Sequence, residues 1–198
     1  MTRIKPDGST VEKGEPVRQR VLDAAERLLR CGKAEFAMRD LAAEAGVSFA
    51  TPFNQFGSKA GIMHALSGRR IETMAARYAA ATPPADAAGR VRLAIEVAVA
   101  VMLEEPDVNR AVMGSIGTAG PTRANALERS AAFWALALTG EESIAGSRRQ
   151  SASDLPQQLA LAFRGALSFW SAGELPDDKL GRAALAIADT LMLTLARQ

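Results

Sequence analysis

The sequence predicts an all-α protein, and three observations carry that expectation. Apolar residues recur every three to four positions along most of the chain. Alanine, leucine, arginine and glutamate dominate, whereas alternating β-branched or aromatic runs are scarce. Glycine or proline closes several of the periodic stretches, at Gly32, Gly46, Gly57 and Pro83-Pro84. The 198 residues are 48% hydrophobic and 23% charged, the balance of a folded globular chain. A single cysteine, Cys31, excludes an internal disulfide framework and a thiolate metal cluster. A single histidine, His64, removes most hydrolase and zinc-enzyme layouts, so neither a metal nor a cofactor is expected. The apolar run 93–103 is too short and too charged to span a bilayer, and residues 1–15 hold no apolar signal core, so a cytoplasmic protein is expected.

Taken in order, residues 1–15 read as a polar arm with Pro6, Gly8 and Gly14. Pro16 suits a helix first turn, and Val17, Val21, Leu22, Ala25, Leu28 and Leu29 follow at helical spacing until Gly32. A short helix is expected over 38–45, ended by Gly46. Another follows over 48–55 with Ser48 as its cap, broken by Gly57. Ser58 then caps a fourth helix that runs to Pro83-Pro84. Longer helices are expected over 86–104, 107–115, 122–139, 154–172 and 177–196, with a bend at 114–121 and an exposed loop at 140–153. Charge divides mildly along the same line. Residues 1–80 carry 13 Lys+Arg against 9 Asp+Glu, and the remainder carry 11 against 13. A basic front half permits an anionic partner.

The run 37–56, AMRDLAAEAGVSFATPFNQF, has helix-turn-helix spacing. Ala42 sits where two helices approach closely, Gly46 sits at the bend, and the following helix is angled for a major groove. Together with VLDAAERLL before it and GSKAGIMHAL after it, the stretch Arg18 to Leu66 resembles the N-terminal domain of the TetR (tetracycline-repressor-like) family of transcriptional regulators. The aromatic-x-x-Phe-x-Ser-Lys element is the most specific part of the match. Ala37 stands where that family usually has a capping Thr or Ser, a loss of about 1 kcal/mol. Phe53 replaces a common Tyr, Gln55 a frequent His, and Pro52 falls in the first turn of the recognition helix. The resemblance implies an arm at 1–15, a DNA-binding domain at 16–62, and a ligand-binding and dimerisation domain at 63–198.

Candidate DNA contacts follow from this placement. Thr51, Asn54 and Gln55 offer groups able to pair with base edges, and Ser48 and Phe49 lie at the start of the same helix. Phe53 is expected against the sugar-phosphate edge and Phe56 in the core. Arg39 and Lys59 flank the helix as phosphate contacts, Lys59 resembling the family's lysine at that position. Arg3, Lys5 and Lys13 belong either to a disordered tail or to a minor-groove arm. Cys31 is expected to be a buried structural thiol, and His64 to make a helix-surface or interdomain hydrogen bond.

In the second half, rings set among many alanines invite a cavity. Met102, Met113, Phe133, Trp134, Phe163 and Trp170 are the candidate ligand contacts, for a largely apolar small-molecule inducer. The last two helices are apolar on more than one face, so both need cover on more than one side. Leu159, Phe163, Leu167, Leu180, Ala184, Ile187 and Leu191 are the candidate homodimer contacts. The resemblance implies a DNA-binding regulator, a ligand-released repressor acting as a homodimer on a near-palindromic operator. A helical interaction module remains an alternative. An all-α enzyme is disfavoured by the lack of paired carboxylates, a nucleophile–base motif or a phosphate loop.

Overall fold

The computed structural model describes residues 11–116, 125–139 and 147–196, and side chains within 16–116, 125–139 and 154–193. Among the described residues there are nine α-helices and no strand. They are α1 (Val11–Arg30), α2 (Met38–Ala45), α3 (Ala50–Phe56), α4 (Lys59–Ala80), α5 (Ala87–Glu104), α6 (Pro106–Ser115), α7 (Ala126–Ala137), α8 (Ser147–Ser171) and α9 (Asp177–Ala196). Local chemistry explains most boundaries. Ser58 Oγ accepts from the Gly61 N–H at 3.1 Å to start α4. Asp86 Oδ1 accepts from the Gly89 N–H at 2.7 Å to start α5. Pro106 opens α6, where its missing N–H costs nothing.

Two hydrophobic cores share two helices, α4 and α6. Val21, Leu28, Leu41, Ile62, Met63 and Leu66 gather α1, α2 and the first half of α4. Met74, Met102, Phe133, Trp134, Phe163, Trp170 and Leu180 gather the second half of α4 with α5, α7, α8 and α9. Val108 and Val112 of α6, expected in the second domain, complete the first core. The two units are therefore joined by more than the chain.

An ionic seam lies at that junction. Glu26 is 7% exposed and meets Arg70 at 2.9 Å, with Arg69 and Arg30 each at 3.4 Å. Arg30 also grips Glu105 at 2.5 Å and 3.1 Å. That hydrogen-bonded pair holds the Glu105 carboxyl below its ordinary range. Asn109, 1% exposed, accepts from Arg70 Nε at 2.8 Å and donates to the Val101 and Met102 carbonyls at 3.2 and 2.9 Å. Its polar atoms are satisfied, as burial demands.

Several expectations are corrected. Helix α1 begins at Val11, so Pro16 lies inside it rather than in its first turn, and residues 11–15 are helical rather than a loose arm. Residues 147–153 belong to α8 rather than to a loop. Cys31 is exposed, because α1 ends at Arg30 and the thiol follows the last core-facing turn. Residues 1–10, 117–124 and 140–146, which include Arg3, Lys5 and most of the expected bend and loop, lie outside the described residues.

Candidate nucleic-acid interface and apolar cavity

Gly46 makes the turn between α2 and α3. It adopts φ 62°, a left-handed conformation that costs glycine little. Its N–H closes α2, and the Val47 N–H returns to the Ala42 carbonyl at 3.0 Å. Ala37, at the start of α2, supplies no side-chain cap, but Asp40 Oδ2 accepts from the Ala37 N–H at 3.2 Å. Half of a capping box therefore survives the missing hydroxyl.

Helix α3 is short and is held from behind. Arg18 of α1 donates to the Gln55 carbonyl at 3.0 Å and lays its guanidinium 4.3 Å from the centre of the Phe56 ring. A cation at a helix C-terminus is also favoured by the helix dipole. Gly57, at φ 71°, ends α3, and its N–H reaches the Phe53 carbonyl at 2.8 Å. The start of α4 then passes so close that a Cβ on Gly61 would stand 2.0 Å from the Phe56 carbonyl oxygen. Arg18 and Gly61 are positioning residues that the sequence pattern did not single out. Arg18 resembles any other surface charge, and Gly61 sits inside a helix.

The open side of this unit carries the expected contacts. Ser48, Phe49, Phe53 and Asn54 are exposed, and Thr51 and Gln55 are half-buried. The third helix starts one turn residue later than expected, with Phe49 rather than Ser48 as its cap. The Ser48 and Thr51 hydroxyls lie 2.8 Å apart. Phe49 is 60% exposed, and its ring meets that of Phe53 edge-on at 5.5 Å. Phe56 is half-buried, packed against the first core on one side and covered by Arg18 on the other. Arg39 is exposed. Lys59 Nζ lies 3.2 Å from Glu35 and 4.9 Å from the centre of the Phe36 ring. Glu35 is almost fully exposed, so that pairing is weak and easily exchanged for a phosphate.

The second feature is a cavity of about 200 Å³ among α4, α5, α6, α7 and α8. Five of the six candidate ligand contacts line it: Met102, Met113, Phe133, Trp134 and Phe163. Trp170 does not. It is fully buried elsewhere, donating from Nε1 to Asp177 at 2.7 Å beneath the Arg110 guanidinium. The wall also has polar members, Ser67, Arg70, Asn109, Ser130 and Arg164, which rings and thioethers in the sequence do not announce. Leu127 and Leu161, both exposed, mark the mouth.

The candidate dimer contacts divide. Leu159, Phe163, Leu167, Leu180 and Ala184 are buried within the chain's own core, so they have little surface left to offer a partner. Ile187 and Leu191 are half-buried. What α8 leaves open is a different stripe, with Leu161 at 55% and Phe169 at 58% exposure either side of Gly165. His64 on α4 is half-buried with its Nδ1 unpartnered, and burial and then the nearby Arg164 charge push its pKa down. Among the described residues no group of three or more His, Cys, Asp or Glu could hold a metal, and no helix is long and apolar enough to cross a membrane.

Residues 21–66 match the model of bacterial regulatory proteins of the tetR family. No curated protein matches the sequence at a significant level. Among solved structures, the chain is similar to a TetR transcriptional regulator from Rhodococcus sp. RHA1, with 18% identity over 91% of this chain and 98% of that one and a TM-score of 0.75. It is also similar to a protein of unknown function from the same organism, with 20% identity over 95% and 97% of the two chains and a TM-score of 0.54. At these identities the structures speak for the fold alone, whereas the family model falls on α1 to α4, the unit that carries the exposed face of α3. The helix-turn-helix unit of this chain belongs to the tetR family of bacterial regulatory proteins, and the chain is a DNA-binding transcriptional regulator.

Proposed function

We propose that the protein is a ligand-released repressor that binds a near-palindromic operator as a homodimer. In this reading residues 16–62 read DNA, and residues 63–198 sense a small molecule and dimerise. The observation that carries it is the course of α4. Its first turn abuts the recognition helix at Gly61, and its later residues Ser67, Arg70, Ile71 and Met74 line the cavity. One 22-residue helix, roughly 33 Å long, thus touches both sites. A ligand that fits the cavity better in one α4 position than another shifts the population of recognition-helix spacings.

On DNA, Asn54, Thr51 and Gln55 face base edges, Phe49 lies at the start of the same helix, and Phe53 sits against the sugar-phosphate edge. Ser48, Arg39 and Lys59 contact the backbone. The exposed stripe Leu161–Gly165–Phe169 of α8, with the outer side of α9 through Ile187 and Leu191, forms the dimer contact. Two recognition helices then sit about 34–36 Å apart, one turn of the double helix.

Anisotropy titration of the protein's own upstream DNA tests this. Lys59→Ala is expected to weaken all sequences alike and to reduce the salt slope by about one. Asn54→Ala should cost about 1–3 kcal/mol at the operator and little on random DNA. Phe169→Glu should yield monomers by light scattering, because a carboxylate would be buried in the interface. A wild-type protein that binds its upstream region no better than random DNA at low salt would overturn the regulator's operator assignment.

A further inference from the structure

We propose that the cavity takes a small amphipathic carboxylate, its anionic end on Arg164 and its apolar end among Met74, Met102, Phe133 and Trp134. The proposal rests on the sensing role given above and names the chemical class of the ligand.

Two arginines reach this cavity, and they are differently partnered. Arg70 is neutralised: it meets Glu26 at 2.9 Å and Glu105 at 3.5 Å, and bonds Asn109. Arg164 has no carboxylate partner among the described residues. Its only bonds there are to the Met113 carbonyl at 3.2 Å and the Met113 sulfur at 3.3 Å. A guanidinium has five N–H donors, so most of its capacity is open. Burial lowers the pKa of Arg164, yet the group starts so basic that it stays charged. His64, which feels the Arg164 charge, offers no negative charge to offset it. A half-buried, uncompensated cation on a mainly apolar wall is costly alone and is stabilised by an incoming anion. Trp134 belongs to the same wall, and its buried indole N–H also lacks an acceptor among the described residues. The wall has donors to spare and its one buried amide, Asn109, is already engaged.

Size and shape narrow the class. The cavity, at about 200 Å³, is slightly larger than the engineered apolar cavity of about 150 Å³ that accepts benzene. One ring or a short alkyl chain with a single carboxylate fits. A polyanion does not, because one free guanidinium cannot neutralise it. The planar fork of arginine matches both oxygens of a carboxylate.

Calorimetric titration at pH 7.5 with octanoate and 1-octanol, and with 3-phenylpropionate and 3-phenylpropanol, tests the charge directly. In the wild type the acids are expected to bind roughly 10- to 100-fold tighter than the matching alcohols. Arg164→Gln should abolish that preference by weakening only the acids, and Arg164→Lys should restore part of it. Alcohols that bind as tightly as the acids to the wild type would overturn the carboxylate assignment while leaving the cavity as a sensing site. An acid preference that survives Arg164→Gln, in a variant with wild-type circular dichroism, would overturn it as well. If neither acid nor alcohol of either pair binds the wild type, both this proposal and the sensing role fall.

Discussion

The two ends of α4 are packed by different rules. Ile62, Met63 and Leu66 sit in a core made mostly of aliphatic side chains, with Phe36 among them, and all three side chains are fully enclosed. Around Ile71 and Met74 the neighbours are large rings and small residues, and the helix borders an open space. The first arrangement fixes a recognition helix in one orientation. The second leaves room for something else to complete the packing. A reading unit must be rigid to hold register on DNA, whereas a sensing unit must be incomplete until its ligand arrives.

Truncating a side chain at each end of α4 separates the two kinds of packing most clearly. Leu66→Ala should cost about 3–5 kcal/mol in urea unfolding, since a filled core cannot close the hole. Met74→Ala should cost less, about 1–3 kcal/mol, because one side of the site already lacks neighbours. Equal losses would mean that the C-terminal core is as tightly filled as the N-terminal one.

Next in size is the ionic seam between the two regions. Glu26→Ala leaves Arg70 and Arg69 without their shared carboxylate. About 2–4 kcal/mol of stability should be lost, somewhat below the usual range for a buried pair because both arginines keep some contact with water. The same urea series reports it.

A gentler probe adds volume instead of removing it. Ala25→Val, in the filled core, should destabilise by about 1–3 kcal/mol. Ala160→Val, on the cavity wall, should change stability by less than about 1 kcal/mol and should weaken whatever the cavity binds.

The smallest expected effect is with pH. Burial and Arg164 depress the His64 pKa in the folded chain. The unfolded chain therefore binds its proton first, and His64 favours the folded state above its ordinary pKa of about 6.5. That contribution should fade as pH drops below about 6.5 and level off once the folded-state pKa is passed. His64→Gln should flatten the urea midpoint between pH 7.5 and 5.5 relative to wild type. The carboxylates Glu104 and Glu105, held low by Arg77 and Arg30, act in a more acidic window.

The sequence was most legible where single residues force the backbone. Gly46, Gly57 and Ser58 punctuate α2 to α4, and they marked the reading unit in the pattern alone. It was less legible where tertiary packing decides. Pro16 suggested a helix start, but the helix runs through it. Cys31 followed an apolar stripe, yet the stripe ends one turn too soon to bury it. Rings among alanines announced a cavity, and the pattern could not tell that Trp170 would turn toward Asp177 instead. Nor could it show that Leu159, Leu180 and Ala184 would be absorbed by their own chain. Arg164 was invisible because its meaning lies in what does not surround it, and periodicity carries no information about a missing neighbour.

The contact at Gly61 has a genetic consequence. Any side chain there would collide with the Phe56 carbonyl and displace the recognition helix, while α8 and α9 lie far along the chain and would fold as before. In the homodimeric repressor proposed above, such an allele would make a subunit that still pairs but cannot read DNA. In a cell carrying both versions, mixed dimers would then outnumber wild-type ones at equal expression, and one good copy of the gene would restore repression only in part. Gly165 faces open space and carries no such collision. Dominance in a merodiploid would then separate the two glycines more cleanly than any measurement of stability.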